Sequence, residues 1–169
     1  LLENTGGGNF INSSAKLPNI NMSSARAQFG DVDNDGDLDL IFNNSGTTSR
    51  FGTNGRPRLF LNDGTGTYSD APTTQTPQTN ISEQMDIFFF DVDNDLDLDI
   101  YVGTRAGQSK LWLNDGTGVY TNLGAAMPGG GGSYSYDAGD IDGDGDLDLI
   151  GINSGSGTQE LLLRNNNGI

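Results

Sequence analysis

Three nine-residue windows with aspartate at every second place dominate this chain. They are DVDNDGDLD at residues 31–39, DVDNDLDLD at 91–99 and DIDGDGDLD at 140–148. Each window runs into an alternating or apolar segment, LDLIF, LDIYV or LDLIGI, that is typical of a β-strand. The segments that lead into the windows, AQFGD, FFFD and YDAGD, are typical of extended chain as well. The windows therefore predict a strand–loop–strand unit that recurs along the chain.

Hairpin-like segments alternate with these windows. They are RLFLNDGTGTYSD at residues 58–70 and KLWLNDGTGVYTN at 110–122, with degenerate versions at 1–12 and 161–169. The Asp-Gly pair in each full copy predicts a tight turn between two strands. Alignment on Asn4, Asn62, Asn114 and Arg164 gives periods of 58, 52 and 50 residues. Periods of this length are typical of propeller blades.

The repeat predicts an all-β protein with propeller-type blades of four short antiparallel strands. We expect a single repeat domain over residues 1–169, with a partial unit at 1–20 that supplies a third and a fourth strand. Repeat 1 is expected at 21–78, repeat 2 at 79–127 and repeat 3, without its fourth strand, at 128–169. Three blades are too few to close a ring, because propellers use about four to eight. We therefore expect a partial propeller, or one completed by assembly with further copies through unpaired terminal strands, which are templates for pairing. The fourth strand of the partial unit, at about residues 9–14, could complete repeat 3 within one chain or between chains.

The negative charge is concentrated in the windows. They hold 15 of the 23 acidic residues, and the other eight acids balance the eight lysines and arginines, although the whole chain carries −15. Two carboxylates about 4 Å apart repel by roughly 4 kcal/mol at an effective dielectric near 20. Several such pairs could cancel the whole stability of a small domain, about 5 to 15 kcal/mol. A hard cation in each loop removes that repulsion, whereas a merely solvated acidic surface needs no fixed spacing.

Calcium fits the spacing, because it takes six to eight oxygens and suits loops that donate from alternate places, with a backbone carbonyl at the seventh. Magnesium is less suited, since it keeps several of its waters. An EF-hand does not fit, because Phe42, Val102 and Gly151 stand where its glutamate is needed. We predict three Ca²⁺ sites, with side-chain ligands at the first, third, fifth and ninth places and the carbonyl of the seventh. The predicted residues are Asp31, Asp33, Asp35, Asp37 and Asp39; Asp91, Asp93, Asp95, Asp97 and Asp99; and Asp140, Asp142, Asp144, Asp146 and Asp148.

The segment FGDVDNDGDLDLIF at residues 29–42 resembles the FG-GAP/VCBS repeat of integrin α-chain propellers and many bacterial surface proteins. The first and third windows match the family motif Asp-x-Asp-x-Asp-Gly-x-x-Asp, whereas the second has Leu96 at the loop glycine and Phe90 at the preceding glycine. The resemblance implies propeller-type blades with calcium between the first and second strands. It implies little about a ligand, since such repeats occur in adhesion proteins, lectins and polysaccharide enzymes.

Leu96 is the most consequential departure. A glycine at this place permits a positive φ at little cost, whereas leucine there costs roughly 1 to 2 kcal/mol. The loop therefore pays that strain or adopts a different turn. Because all five aspartates are present, we expect the second site to be occupied, but with weaker calcium binding or in an altered shape.

Composition excludes several functions. Without histidine or cysteine, Ser-His-Asp and Cys-His nucleophile systems are impossible. A carboxylate pair could hydrolyse glycosides, but most acids are assigned to metal, so we expect no enzyme. The acidic charge argues against nucleic acid, and no apolar run is long enough to span a membrane.

These observations favour a non-catalytic extracellular or cell-surface (secreted) calcium-binding module that serves adhesion, matrix or self-assembled, fibre-like structure. The extracellular location is inferred from the metal, because extracellular modules can rely on a calcium concentration near millimolar. The alternatives are a carbohydrate-binding, lectin-like propeller or a non-catalytic part of a polysaccharide-active enzyme. The partner would then be a carbohydrate or a surface protein.

Two further sets of residues bear on the partner. Phe60, Tyr68, Trp112 and Tyr120 recur at matched places, and we expect them in the core or between blades rather than as sugar-stacking platforms. Four Asn-x-Ser/Thr sequons are candidate glycosylation sites. They begin at Asn12, Asn21, Asn43 and Asn80.

Overall fold

The computed structural model describes residues 1–45, 55–105, 108–124, 133–153 and 160–166. Within these ranges the chain forms antiparallel β-sheets, and its one helical segment is a short 3₁₀ turn at Ser14–Lys16. The prediction of an all-β protein is confirmed. Two Gly- and Ser-rich segments that the sequence predicts as loops lie partly outside the described residues, at 46–54 and 125–132.

The strands form one hairpin and three sheets, and within each of these every strand pairs with the next one in the chain. The N-terminal hairpin is β1 (Leu2–Gly6) and β2 (Asn9–Asn12). Sheet 1 is β3 (Ala27–Gly30), β4 (Asp39–Phe42), β5 (Arg58–Asn62) and β6 (Tyr68–Asp70). Sheet 2 is β7 (Gln84–Phe90), β8 (Asp99–Thr104), β9 (Lys110–Asn114) and β10 (Tyr120–Asn122). Sheet 3 is β11 (Ser133–Gly139), β12 (Asp148–Asn153) and β13 (Leu161–Leu163). Sheets 1 and 2 are thus four-stranded blades, and sheet 3 has three strands in the described part of the chain.

Sheet 2 lies between the other two and is buried on both faces. Alternate residues of β7 serve different cores: Ile87 and Phe89 pack against sheet 1, and Phe88 and Phe90 pack against sheet 3. The two cores that result are made of the following buried side chains. The first contains Val32, Ile41, Leu59, Ile87, Phe89, Ile100, Val102 and Trp112, and the second contains Phe88, Phe90, Val92, Tyr101, Leu111, Tyr136 and Leu149. A strand that is covered on both faces needs no polar alternation, which explains the unbroken run IFFF.

A buried carboxylate links all three sheets. Asp86 in β7 is 1% exposed and accepts bonds from Arg26 Nη1, just before β3, at 2.7 Å and from Tyr136 N in β11 at 2.6 Å. Burial raises the pKa of Asp86, and the Arg26 charge and the amide donors oppose that rise. The charge is tolerated because it is paired and hydrogen-bonded.

Large and small residues alternate where neighbouring sheets meet. A Cβ on Gly30 would lie 2.7 Å from a ring carbon of Phe89 and 2.8 Å from a methyl of Leu98. One sheet further along, Phe90 fills the place that corresponds to Gly30, and Ala138 fills the place that corresponds to Phe89. Ala138 packs against the core that contains Phe90. Phe90, which stands where the first motif has Gly30, is therefore accommodated because the next sheet has the small Ala138 at the facing place.

We expect Gly30→Ala to lower the free energy of unfolding by about 1 to 3 kcal/mol, because the added methyl overpacks a close contact. Urea denaturation measures this. Gly139→Ala is the matched control, since a Cβ at Gly139 meets nothing within 4 Å. Equal effects of the two substitutions would show that the contact with Phe89 is not limiting.

The structure corrects the alignment of the last segment. Trp112 pairs with Ile100, and Leu163 pairs with the corresponding Leu149, so Asn165, not Arg164, corresponds to Asn114. Asn165 confirms this by donating its backbone amide to Asp148 Oδ1 as Asn114 does to Asp99 Oδ1. Sequence alignment slipped by one residue because LLLRN contains no aromatic landmark.

The described strands do not complete sheet 3 within the chain. β2 pairs with β1, and β13 pairs with β12. The intramolecular completion considered from the sequence is thus not found among the described residues. The division at residues 20, 78 and 127 stays a prediction.

Candidate metal centre

The three aspartate windows form loops between the first and second strands of each sheet. We number the loop positions one to nine from the first aspartate. In every loop the carboxylates at positions one, three and nine converge, with one oxygen from each within 4.8 Å of the others. The three converging sets are Asp31, Asp33 and Asp39; Asp91, Asp93 and Asp99; and Asp140, Asp142 and Asp148.

The aspartate at position nine anchors each loop to its sheet. Asp99 is fully buried; its Oδ2 accepts the amide of Val92 at 2.9 Å and its Oδ1 accepts the amide of Asn114 at 2.8 Å. Asp39 accepts the same two bonds in the first loop and Asp148 in the third. The carboxylate thus fixes both the entry of the loop and the end of the third strand.

The aspartate at position one shapes the turn. Asp91 accepts the amides of Asp95 at 3.2 Å and Leu96 at 3.0 Å, one on each oxygen. This arrangement requires a positive φ at position six, where Gly36 has 92°, Gly145 has 97° and Leu96 has 75°. Leu96 therefore adopts the same turn as the two glycines, and its side chain is 85% exposed, so packing does not compensate for the strain.

We expect Leu96→Gly to tighten calcium binding at the second loop and to stabilise the protein by roughly 1 to 2 kcal/mol, the cost of the left-handed conformation for a non-glycine residue. Isothermal titration of wild type and variant with calcium measures the change. An unaltered affinity would show that the strain is the same with and without the ion.

The aspartate at position three supplies the observation that most favours a cation. Asp33 Oδ1 and Asp93 Oδ1 are buried, and neither has a hydrogen-bond partner. Burial, and then the charge of the neighbouring aspartate at position five, raises the pKa of both carboxyls. A buried carboxylate oxygen without a donor is costly, and a hard cation coordinated by the three converging oxygens removes that cost. The residues present therefore fit a divalent cation.

The aspartates at positions five and seven are not in the converging sets. Asp35 Oδ1 accepts the amide of Asp37 at 2.9 Å, and the other two loops repeat this bond. The carboxylate of Asp97 receives the side-chain amide of Asn34 from the preceding loop. The predicted ligands at positions five and seven stay predictions, as does the carbonyl at position seven.

The third loop differs from the other two. Asp140 and Asp142 are exposed, and Arg164 Nη1 lies 3.2 Å from Asp142 Oδ2. Sequence reasoning missed this ion pair because the alignment placed Arg164 at the position of Asn114, which Asn165 occupies in the structure. A guanidinium beside a predicted ligand opposes cation binding by charge repulsion.

The raised pKa of Asp99 gives a test in solution. Burial raises that pKa from 3.8 to about 6. In metal-free protein the native carboxyl holds a proton that the unfolded chain releases, so its contribution to stability falls as pH rises from about 4 to about 6. With calcium present, the proton competes with the metal for the carboxylate. The stability that calcium adds therefore decreases as pH is lowered. We therefore expect the gap between melting temperatures in calcium and in EGTA to shrink when pH is lowered from 7 to 5; a constant gap would contradict this.

The structure separates the aromatic and sequon residues by burial. Phe60 and Trp112 are fully buried and Tyr120 is 4% exposed, so the expectation of core packing is confirmed for these three; Tyr68 is partly buried. Asn43 is fully buried; its Oδ1 accepts the amides of Ala25 and Arg26. The folded protein cannot carry a glycan there, whereas the other three sequon asparagines are exposed.

Comparison with known families follows the same loops. The sequence model of the FG-GAP-like repeat matches residues 47–102 and again residues 91–151. Together the two matches span 105 of the 169 residues. The chain belongs to the FG-GAP-like repeat family. A search of curated protein sequences returns no match.

Family membership identifies the sheets as propeller-type blades. FG-GAP-like repeats are generally non-catalytic modules and are typical of extracellular proteins. In the part of the chain that the structure describes, there is no helix with the length and hydrophobicity needed to span a bilayer.

Proposed function

We propose that this FG-GAP-like chain is a non-catalytic extracellular module whose three loops bind calcium as a structural ion. The observation that carries the proposal is a buried oxygen of Asp93 that has no hydrogen-bond partner, on a carboxylate that converges with those of Asp91 and Asp99. Calcium accepts a flexible set of six to eight oxygens, whereas magnesium demands a near-octahedral arrangement. The ion would fix the corner between the first two strands of each sheet and neutralise the loop.

The calcium affinity of the loops tests the proposed extracellular location. Modules that work outside the cell bind calcium with dissociation constants of about 10⁻⁴ to 10⁻³ M, while cytosolic sensors bind at about 10⁻⁷ to 10⁻⁵ M. Titration in a tenfold excess of magnesium should give values in the weaker range. Dissociation constants below about 10⁻⁷ M, or displacement by magnesium, would contradict an extracellular calcium module.

Within this module we favour a role in adhesion, matrix or self-assembled surface structure, because sheet 3 leaves an apolar face uncovered. Ile150, Ile152 and Leu162 are 46%, 54% and 49% exposed. In sheet 2 the places that match Ile150 and Leu162 hold Tyr101 and Leu111, which are 1% and 2% exposed. The face of sheet 3 thus has the pattern by which one blade packs on the next.

A second copy of the chain is the partner proposed for this face. Light scattering of the purified chain in calcium tests it. Concentration-dependent oligomers that Leu162→Asp abolishes would support self-assembly, whereas a monomer at all concentrations would refute it. Thr121→Asp, at an exposed place on sheet 2, is the matched control.

A carbohydrate-binding propeller is the alternative. The burial of Phe60, Trp112 and Tyr120 removes three of the four aromatic residues that sequence reasoning considered for sugar stacking. A glycan array with calcium and with EGTA decides this alternative, since calcium-dependent binding to one glycan class would favour it over assembly.

A further inference from the structure

Successive loops are joined by a side chain that no predicted ligand set includes. Asn34, at position four of the first loop, donates from Nδ2 to Asp97 Oδ1 at 2.9 Å and to the Gly116 carbonyl at 3.3 Å. Asn94, at position four of the second loop, donates from Nδ2 to Asp146 Oδ1 at 2.6 Å. Each asparagine therefore contacts the aspartate at position seven of the following loop.

The direction of these amides is determined by their partners. Both groups that face Asn34 Nδ2 are acceptors, a carboxylate and a carbonyl, so the nitrogen and not the oxygen must point to them. A donor to an ionised carboxylate forms one of the stronger kinds of hydrogen bond. The contact is therefore directional, from one loop to the next.

The backbone at position four has a positive φ, which restricts the residues that can stand there. Asn34 and Asn94 have φ of 60° and 62°, and the matching residue of the third loop is Gly143 with φ of 80°. Glycine satisfies this conformation at the least cost, and asparagine tolerates it better than most residues. Asparagine thus stands in the two loops that have a loop after them in this sequence, and glycine stands in the third.

The same neighbours are joined in the reverse direction. Asn114 Nδ2, in sheet 2, donates to the Val32 carbonyl of the first loop at 2.8 Å, and Asn165 Nδ2 donates to the Val92 carbonyl of the second loop at 2.8 Å. Each junction between repeats therefore has a forward and a backward amide bond. The forward bond joins two loops, and the backward bond joins a residue at or just after the end of a third strand to the loop of the preceding sheet.

We propose that Asn34 and Asn94 are positioning residues that couple each calcium loop to the next. The proposal rests on the calcium function proposed above. By holding the carboxylate at position seven, each asparagine fixes the residue whose carbonyl is a predicted ligand of the following loop. Because Asn34 lies between Asp33 and Asp35, an ion in the first loop also orders the residue that organises the second. Binding at adjacent loops is then cooperative, and the coupling acts equally in both directions.

The test follows one backbone amide in each loop. The amides of Gly36, Leu96 and Gly145 occupy the same place, each donating to the aspartate at position one of its own loop. ¹⁵N–¹H spectra recorded during a calcium titration therefore report the three loops separately. Asn34→Gly is compatible with the positive φ and removes the side chain that carries the amide donor.

We expect Asn34→Gly to weaken calcium binding at the second loop about 10-fold, the lower end of the effect of losing a residue that orients a metal ligand. Asn94→Gly should weaken the third loop by a similar factor and serves as the matched control. Asn34→Asp, which keeps the shape but places a carboxylate against Asp97, should weaken the second loop further. An unchanged second loop in Asn34→Gly would overturn the proposal, as would a loss confined to the first loop.

Cooperativity is tested by disabling the first loop with Asp31→Asn and Asp33→Asn. This change should weaken the second loop in the wild-type background and have no such effect in the Asn34→Gly background. Equal weakening in both backgrounds would show that the asparagine does not carry the coupling. If no loop of the wild-type protein shifts with calcium, the calcium function itself fails, which is a separate outcome.

Discussion

Removing calcium with EGTA is expected to lower the melting temperature by roughly 15 to 30 °C. An ion at 100 times its dissociation constant stabilises the folded state by about 2.7 kcal/mol, so three sites at that saturation give about 8 kcal/mol. For a domain of this size each 1 kcal/mol shifts the melting temperature by about 2 to 4 °C. The effect is large because the total stability of such a domain is only about 5 to 15 kcal/mol. Differential scanning calorimetry in about 10 mM calcium, which is 100 times a dissociation constant near 10⁻⁴ M, and then in EGTA measures it.

Magnesium at the same concentration and ionic strength is the control, because it screens charge equally but does not match the coordination expected of these loops. Magnesium should restore only a small part of the lost stability. Identical melts in calcium, magnesium and EGTA would contradict a structural role for the ion. Full recovery with magnesium would contradict the choice of metal.

Asp99→Ala is expected to cost about 4 kcal/mol or more in the presence of calcium. The substitution removes a converging carboxylate from the second loop and leaves the buried amides of Val92 and Asn114 without the acceptor they use in the native structure. Each unsatisfied buried amide costs about 1 to 3 kcal/mol, in addition to about 2.7 kcal/mol from a lost site. Urea denaturation with and without calcium measures both contributions.

Asp95→Ala is the matched control for that substitution, since it removes an exposed carboxylate of the same loop. It should cost no more than the lost calcium site, and without calcium it should be neutral or mildly stabilising because it relieves repulsion among the aspartates. If Asp99→Ala is no more destabilising than Asp95→Ala in calcium, the anchoring role of position nine is wrong.

The fold could be predicted largely because the signals were local. The aspartate windows, the apolar runs such as that from Leu98 and the Asp-Gly turns each depend on a few neighbouring residues, and together they indicate blades in which every strand pairs with the next. The convergence of positions one, three and nine depends on a single repeat, since Asp91 and Asp99 are held by amides of their own repeat.

What could not be predicted depends on how one sheet packs on another. The bond from Asn34 to Asp97 joins residues 63 places apart, and the buried Asn43 donates from Nδ2 to the Gln84 carbonyl of the next sheet. The packing of Phe90 against a place where the next sheet has a small residue is also a contact between two sheets. No pattern within a single repeat contains these contacts, because each needs the relative position of two repeats.

The sequence also identified Leu96 as unusual without deciding its conformation. The structure shows that the two amides donated to Asp91 impose the turn, and that leucine adopts the positive φ of the glycines it replaces. The calcium affinity of Leu96→Gly measures how much the positive φ of Leu96 weakens binding at this loop.

The number of calcium ions bound by the folded chain tests the central claim most directly. Equilibrium dialysis against about 10 mM calcium, roughly 100 times a dissociation constant near 10⁻⁴ M, should give three ions per chain. Asp93→Asn should reduce that number to two by disabling one loop. Binding of no calcium by a chain that circular dichroism shows to be folded, or an unaltered count in Asp93→Asn, would contradict the assignment of these loops as calcium sites.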